Sequence, residues 1–490
     1  MGTCNPVPAP LFSVPEHRKP RSPAYYTPSP WGDFFLSHQP CAPSQLELVD
    51  TLQRLGVGYH FKDEIDGLLR DVYHRDTRQH NQEGVCCDDD ADELYVTSLR
   101  FYLLRKHGYR VSSDVFVKFR DDHGNFASGD MNSLLVLYDA AHHRTRGEEV
   151  LDSAIAFTRI RLRSLIDSLE PELAKECTLD TPRYRRIQRV EARRYIEVYE
   201  QKAAATRNDT ILLEFAKLDY SILQAMYCEE LKSLTIWWKE LRSRADLRFA
   251  RERVVEMYFW MLGVVEEPRH SYSRIHLTKF FKLVSLIDDF CDSYSTTEES
   301  ENFTLAIESI HEGLIDITRC YHAEVKWRDD HYVPAKVEEH LQLSAPSSAC
   351  MHITNLAFIS LGDVATKEDI QWVSSYPKII RSVCIIARIS NDIMSHEREQ
   401  ASEHVVSTVQ TCMKEHGFTA EQAREELGAL IDRSWMDIVE ECLDARRPME
   451  LLEKVVNLAR GMDHMYKRDD AYTFPIGLKD VITSVLVDSV

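Results

Sequence analysis

The run Leu286-Ile287-Asp288-Asp289-Phe290-Cys291-Asp292 concentrates more chemistry than any other stretch of the chain. The residues before it, 279–285, are mostly apolar, so acidic side chains end an otherwise buried helix. Asp288 and Asp292 stand at i and i+4, on one helix face with Cβ atoms about 6 Å apart. Two carboxylates aimed into an apolar cavity repel each other and lose hydration unless cations neutralise them. All-oxygen donors at this spacing suit Mg²⁺ or Mn²⁺. The D-D-x-x-D pattern alone is weak, arising by chance roughly 0.2 times in such a chain. A second copy, Asp88-Asp89-Asp90-Ala91-Asp92, follows Gly84 and the Cys86–Cys87 pair and precedes a helical pattern near Leu94. Helix capping and the macrodipole account for acids there.

About one hundred residues after the first cluster, Asn391, Ser395 and Glu399 stand at i, i+4 and i+8, along one face over two turns. They offer an amide oxygen, a hydroxyl and a carboxylate, a mixed hard-oxygen set for a further cation. The pattern [ND]-D-[LIV]-x-[ST]-x-x-x-E has a chance rate of roughly 0.01 per chain. The apolar run Val383-Cys384-Ile385-Ile386-Ala387 precedes it, again setting ligands at the end of a buried helix. Upstream, Arg251 and Arg253 are fixed positive donors suited to phosphate oxygens. Phe259 and Trp260 follow; a desolvated aromatic face stabilises a cation by about 2 kcal/mol. Together these features describe a site for a diphosphate joined to a hydrocarbon. Cations and Arg stabilise the departing diphosphate, and an apolar, water-excluding pocket protects the carbocation left behind.

The elements that must hold these residues are helices. From Ser44 onward the apolar period is helical: leucines at 46, 48, 52 and 55, then Leu94, Val96, Leu99, Tyr102 and Leu103. Polar breaks fall at 121–124, 129–130, 203–209 and 266–270, and strand-like alternation is rare. The expected fold is all-α, two helical domains of antiparallel helices with short connections. A boundary is expected near residue 215, giving a proline-rich arm over 1–30, an N-terminal helical domain over 31–215 and a C-terminal metal-binding domain over 216–490. An apolar terminal helix over 478–490 is expected to dock rather than fray.

Composition removes other classes. The net charge is −20 over 490 residues, which argues against a nucleic-acid partner. No uninterrupted apolar run of about 18 residues exists, so no membrane-spanning helix is expected. Glycine is scarce, at 17 residues, and no Rossmann, P-loop or G-x-S-x-G pattern occurs. The 12 cysteines are scattered without metal-finger spacing and read as reduced thiols. Pro6, Pro8, Pro10, Pro15, Pro20, Pro23, Pro28 and Pro30 make the first thirty residues an extended arm with no secretory signal pattern.

With these motifs in place the sequence resembles the plant class I terpene synthases, most closely the cytosolic sesquiterpene synthases of flowering plants. The likeness runs through Arg21-Ser22-Pro23 and Trp31-Gly32-Asp33 in the arm, Leu94–Phe101, Ser112–Phe116, Val190–Arg193 and Leu213–Asp219, then Arg251 to Arg253, 288–292 and 391–399. The resemblance implies an N-terminal domain without its own catalysis and a C-terminal class I α-domain using three Mg²⁺ ions. By motif match, Asp288 and Asp292 would bind two ions and Asn391, Ser395 and Glu399 the third. Arg251, Arg253 and Arg388 would contact diphosphate, Asp289 would orient, and Trp260 and Tyr472 would line the cavity. Asp469–Thr473 matches a loop that closes over the site, and 357–363 resembles a broken helix that shapes the cavity. No D-x-D-D occurs in the N-terminal half, so protonation-initiated chemistry is not implied.

The expected activity is Mg²⁺-dependent ionisation of farnesyl diphosphate, then cyclisation or rearrangement of the carbocation to a volatile sesquiterpene. Rivals are a monoterpene synthase using geranyl diphosphate, a chain-elongating prenyltransferase, and a catalytically inactive scaffold of the same fold. The second metal motif is of the mixed Asn/Ser/Glu kind, which argues against elongation, and every expected ligand is present, which argues against the scaffold. A monomer in the cytosol is expected, since at most seventeen residues precede Arg18 and their proline content suits no amphipathic targeting helix.

Overall fold

A computed structural model describes residues 42–79, 90–126, 131–166, 181–203, 207–244, 247, 250–293, 295–301, 315–401, 406–444 and 446–490. The proline-rich arm, with Arg18, Arg21 and Trp31, lies outside them, as do Asp88, Asp89 and the Cys86–Cys87 pair.

Among the described residues the chain is helical, with short 3₁₀ turns and one isolated bridge between Arg120 and Phe126. In order the helices are α1 (Ala42–Arg54), α2 (Lys62–Gln79), α3 (Asp90–Lys106), α4 (Met131–Ala141), α5 (Glu149–Ile166), α6 (Gln188–Ala203) and α7 (Arg207–Arg244). There follow α8 (Val254–Val264), α9 (Ser271–Ser293), α10 (Ile315–Asp329), α11 (Val337–Ser347), α12 (Cys350–Ser360) and α13 (Lys367–Ser374). The last are α14 (Lys378–Gln400), α15 (Thr408–His416), α16 (Ala420–Leu443), α17 (Met449–Met465) and α18 (Lys479–Leu486).

Local chemistry sets many of the boundaries. Thr366 with Asp369, Ser407 with Gln410, and Thr419 with Gln422 form reciprocal capping boxes that start α13, α15 and α16. Gly417 closes α15 at φ 69°, a left-handed geometry that costs glycine nothing. The break at 121–124 is a turn in which Asp121 accepts from the His123 and Asn125 amides. The break at 266–270 is a 3₁₀ turn, Pro268–His270, that feeds directly into α9.

Two large apolar clusters result. One, built on Leu69, Leu94, Leu99, Leu103, Leu137 and Leu151, fills the space among α1 to α5. The other packs α14 on α11, α16 and α17, and includes Trp260, Ile380, Ile386, Trp435 and Leu458. The helices carrying the two acidic motifs, α9 and α14, both contact α12. Residues 46–490 cluster as one compact unit, and α7 runs unbroken through residue 215.

The chain end docks as its apolar residues require. Val485 and Leu486 are buried, and Tyr220 donates to the Val485 carbonyl at 3.3 Å. Arg193 donates to the Ser484 and Ser489 carbonyls. The helix nevertheless stops at Leu486 rather than running to Val490. The Val487 and Asp488 amides both turn back to the Thr483 carbonyl, leaving Val487 exposed.

Candidate active site

The C-terminal ends of α9 and α14 open on one cavity of about 300 Å³. Its lining includes Asp288, Asp289 and Asp292 from α9, and Arg388, Asn391, Asp392 and Glu399 from α14. Trp260 from α8 and Met462 from α17 add apolar walls, and Asp470, Tyr472 and Thr473 complete the lining. Residues more than two hundred positions apart in sequence thus converge.

Asp288 and Asp292 share this face, and both carboxyls are harder to ionise than usual. Burial is the main cause for Asp288, with Arg251 pulling the other way. Burial also dominates at Asp292, where Asp288 and Glu324 add like-charge repulsion and the carboxyl is held well above its ordinary value. Asp289 faces differently, as the helical spacing predicts. It accepts from the Arg251 main-chain amide at 2.9 Å and from the Arg251 Nε. The same guanidinium donates to Asp288 Oδ2 at 2.7 Å. Burial disfavours the Arg251 charge, yet Tyr472 and the two aspartates outweigh it and raise its proton affinity.

Across the cavity, Arg388 donates to the Ser344 carbonyl at 3.1 Å and to Ser347 Oγ at 2.5 Å, and pairs with Glu324 at 3.4 Å and Asp392 at 3.6 Å. Glu324, on α10, accepts from Ser347 Oγ at 2.6 Å, and burial lifts its carboxyl to about 7. Glu399 is likewise lifted to about 7, by burial and then by Asp392. Ser395 is fully buried one turn before it, its hydroxyl donating to the Asn391 carbonyl at 3.0 Å. Asn391 and Glu399 reach the cavity wall, while Ser395 lies behind it.

Below the carboxylates the floor is aromatic. Trp260 is buried, meets Phe281 edge-on at 5.0 Å between centroids, and lies 6.0 Å from Tyr466. Gly461 makes room for it: a Cβ there would sit 2.6 Å from the indole Cδ1 and Nε1. Tyr472 lies under the Arg251 guanidinium, 4.3 Å from its carbon, and shares a short hydrogen bond with Ser285. Burial raises the Tyr472 phenol, so the group stays protonated at neutral pH.

One residue and one helix break take places the motifs did not indicate. Arg253 is absent from the cavity lining and donates to the Tyr472 carbonyl at 2.8 Å and the Thr473 carbonyl at 2.9 Å. It holds the Tyr472–Thr473 segment in place. The helix break that reaches the cavity is at 347–349, not at 357–363: Ser347 and Ser348 line the cavity, and Ala349 turns the chain at φ 58°. Gly362 does interrupt the chain at φ 61°, which explains the misplacement, but it lines no part of the cavity. Tyr321, Glu324 and Ser285 were also missed. Tyr321 and Glu324 are single polar residues on a mixed helix without a motif nearby in sequence, and Ser285 sits in the mostly apolar run before Asp288.

The donor chemistry fits hard divalent cations. Carboxylates whose ionisation is suppressed by burial and mutual repulsion are what a bound cation would relieve. No ready-made cluster of three His, Cys, Asp or Glu ligands occurs among the described residues.

The family profiles agree with this geometry. "Terpene synthase, N-terminal domain" matches residues 35–179, and "Terpene synthase family, metal binding domain" matches 239–316 and 308–437. The chain is 46% identical to (E)-beta-caryophyllene synthase of Zea mays, covering 94% of this chain and 95% of the relative. It is 39% identical to zingiberene synthase of Sorghum bicolor, covering 96% and 97%. The first alignment spans 533 positions against a 490-residue chain, so dozens of positions in the relative have no counterpart here. Among solved structures, isoprene synthase from grey poplar leaves, in complex with three Mg²⁺ ions and dimethylallyl-S-thiolodiphosphate, superposes with a TM-score of 0.82 at 29% identity, covering 93% of this chain and 94% of that one. Limonene synthase with 2-fluorolinalyl diphosphate gives 0.83 at 28%, covering 92% and 91%. By profile, sequence and fold, the chain belongs to the terpene synthase family.

Proposed function

We propose that this protein is a sesquiterpene synthase that ionises farnesyl diphosphate and guides the resulting carbocation to a hydrocarbon or alcohol. The observation that carries this is the meeting of two oxygen-donor sets, Asp288 with Asp292 and Asn391 with Glu399, on one cavity whose floor is Trp260 and Phe281. Relatives named for fifteen-carbon products support the choice of substrate.

In this reading Asp288 and Asp292 would hold Mg²⁺ on one side, and Asn391, Ser395 and Glu399 on the other. Three ions are expected, and Mn²⁺ suits the same donors. When bound, such ions supply Lewis-acid stabilisation to the departing diphosphate. Arg251 and Arg388, fixed by their carboxylate partners, direct N–H groups at the same leaving oxygens. Arg253 keeps the Tyr472–Thr473 segment in place at the cavity wall, which limits water entry. Trp260, Phe281 and Tyr466 present ring faces and edges to the hydrocarbon, and electron-rich faces stabilise its positive charge. Tyr472, held protonated, bonds Ser285 and supports Arg251 instead of abstracting the final proton.

The domain division belongs to the same reading: a 1–30 arm, a non-catalytic helical domain over 31–215 and a catalytic domain over 216–490, supported by the separate profile matches. A cytosolic monomer is part of it too. Cys228, Cys291, Cys350, Cys384, Cys412 and Cys442 form no disulfide, which suits a reducing compartment. No described helix is long and apolar enough to cross a membrane. Competition between farnesyl and geranyl diphosphates tests the substrate assignment. A higher kcat/KM for the fifteen-carbon substrate is expected. A preference for geranyl diphosphate would move the enzyme to the monoterpene class.

A further inference from the structure

Lys282 is fully buried on α9, an unusual place for an ammonium group. It does not line the cavity, yet two of its contacts are with residues that do, Arg251 and Ser285. The Nζ donates to the Arg251 main-chain carbonyl at 2.6 Å and to Ser285 Oγ at 3.4 Å, and stands 4.6 Å from the centroid of the Trp238 ring. Ser285 in turn bonds the Tyr472 hydroxyl, and the Tyr472 ring lies 4.3 Å from the Arg251 guanidinium carbon. The contacts close into a loop. Lys282 fixes the backbone of Arg251 directly, and fixes its side chain through Ser285 and Tyr472.

We infer that Lys282 is a positioning residue that sets Arg251 for contact with the diphosphate of the substrate, resting on the terpene synthase reading above. The physical reason is that Arg251 belongs to an irregular segment just before α8, where no helical hydrogen bonds restrain it. Asp289 holds its amide and Nε from one side. Lys282 holds the carbonyl from the other, so that the guanidinium can face Asp288 and the cavity together. An apolar residue at 282 would leave that carbonyl without its partner and release the segment.

Binding of inorganic diphosphate in Mg²⁺, followed by calorimetry, tests this without requiring turnover. Lys282→Met is expected to raise the dissociation constant about tenfold, equivalent to about 1.4 kcal/mol. In an Arg251→Ala background the same change should add less than about twofold, since the residue it positions is gone. Steady-state assays should show the effect mainly in KM. Wild-type-like diphosphate binding by Lys282→Met, or an equal loss with and without Arg251, would overturn the inference. Should Lys282→Met fail to fold, Ser285→Ala cuts the same loop at its next link, and its effect must also depend on Arg251. Failure of the unmodified enzyme to bind diphosphate would instead overturn the terpene synthase reading itself.

Discussion

Arg251 and Asp289 meet twice: the Arg251 main-chain amide donates to Asp289 Oδ2 at 2.9 Å, and the Arg251 Nε donates to Oδ1 of the same carboxylate. The middle aspartate of the acidic motif is therefore the anchor of a cation rather than a free ligand. Asp289→Asn keeps the shape but removes the charge. Charge-assisted hydrogen bonds contribute about 1.5–3 kcal/mol each, so turnover should fall by about one to two orders of magnitude, with the helical circular dichroism intact. Turnover within twofold of the parent would show that Arg251 is held by other contacts.

Asp288→Ala should reduce turnover by orders of magnitude, because a lost cation ligand removes several kcal/mol of stabilisation from the leaving group. Asp88→Ala, at a position outside the described residues, should leave turnover unchanged. Near-normal activity in the first variant, or a comparable loss in the second, would reverse the assignment of the two motifs. Chelation should abolish activity and readdition of Mg²⁺ should restore it.

Asp292 is half-buried beside Asp288 and Glu324, and desolvation together with the repulsion among them burdens the metal-free fold. A neutral amide relieves it. Metal-free Asp292→Asn should melt above the metal-free parent, and the gain in Tm that Mg²⁺ gives the parent should shrink in the variant. A lower Tm for the metal-free variant would mean that Asp292 is already neutralised by its surroundings.

Most of the residues proposed to hold metal and diphosphate were legible because helical spacing is a strong constraint. Asp288 with Asp292, and Asn391 with Glu399, can only share faces once the helices are granted, and the apolar runs before them say which face is buried. Ser347, Ser348, Glu324 and Lys282 were not legible. Ser347 and Ser348 reach the cavity through a helix break with a non-glycine residue, Ala349, at positive φ. Lys282 looks in sequence like an ordinary charged residue on an amphipathic helix. Arg253 was assigned to the diphosphate because it neighbours Arg251, but its partners, the Tyr472 and Thr473 carbonyls, lie some 220 residues away.

Gly461 is the point where α17 yields to Trp260. An added methyl would meet the indole at 2.6 Å, closer than packed atoms tolerate. Gly461→Ala should cost about 1–3 kcal/mol through overpacking, and the displaced ring should alter the ratio of products. An unchanged product profile would show that Trp260 does not shape the path of the carbocation.

His340 is buried, with Nδ1 2.8 Å from Thr411 Oγ1, and burial aided by Arg388 holds its pKa to about 3. In the unfolded chain a histidine titrates near 6.5. The folded state therefore keeps this contribution in full above about pH 6.5. It loses it as pH falls toward 3, by up to about 1.4 kcal/mol per pH unit, because only the unfolded chain takes up the proton. His340→Gln should show a shallower decline of stability between pH 6.5 and pH 4.5 than the parent. Parallel declines would mean that His340 is protonated in the folded protein.

The most direct measurement is incubation of the purified protein with farnesyl diphosphate and Mg²⁺, with gas chromatography and mass spectrometry of the extracted volatiles. The structure predicts a fifteen-carbon hydrocarbon or alcohol that disappears with chelator and in Asp288→Ala. Intact substrate beside a well-folded, Mg²⁺-loaded protein, or a chain-elongated diphosphate in place of a volatile, would contradict it.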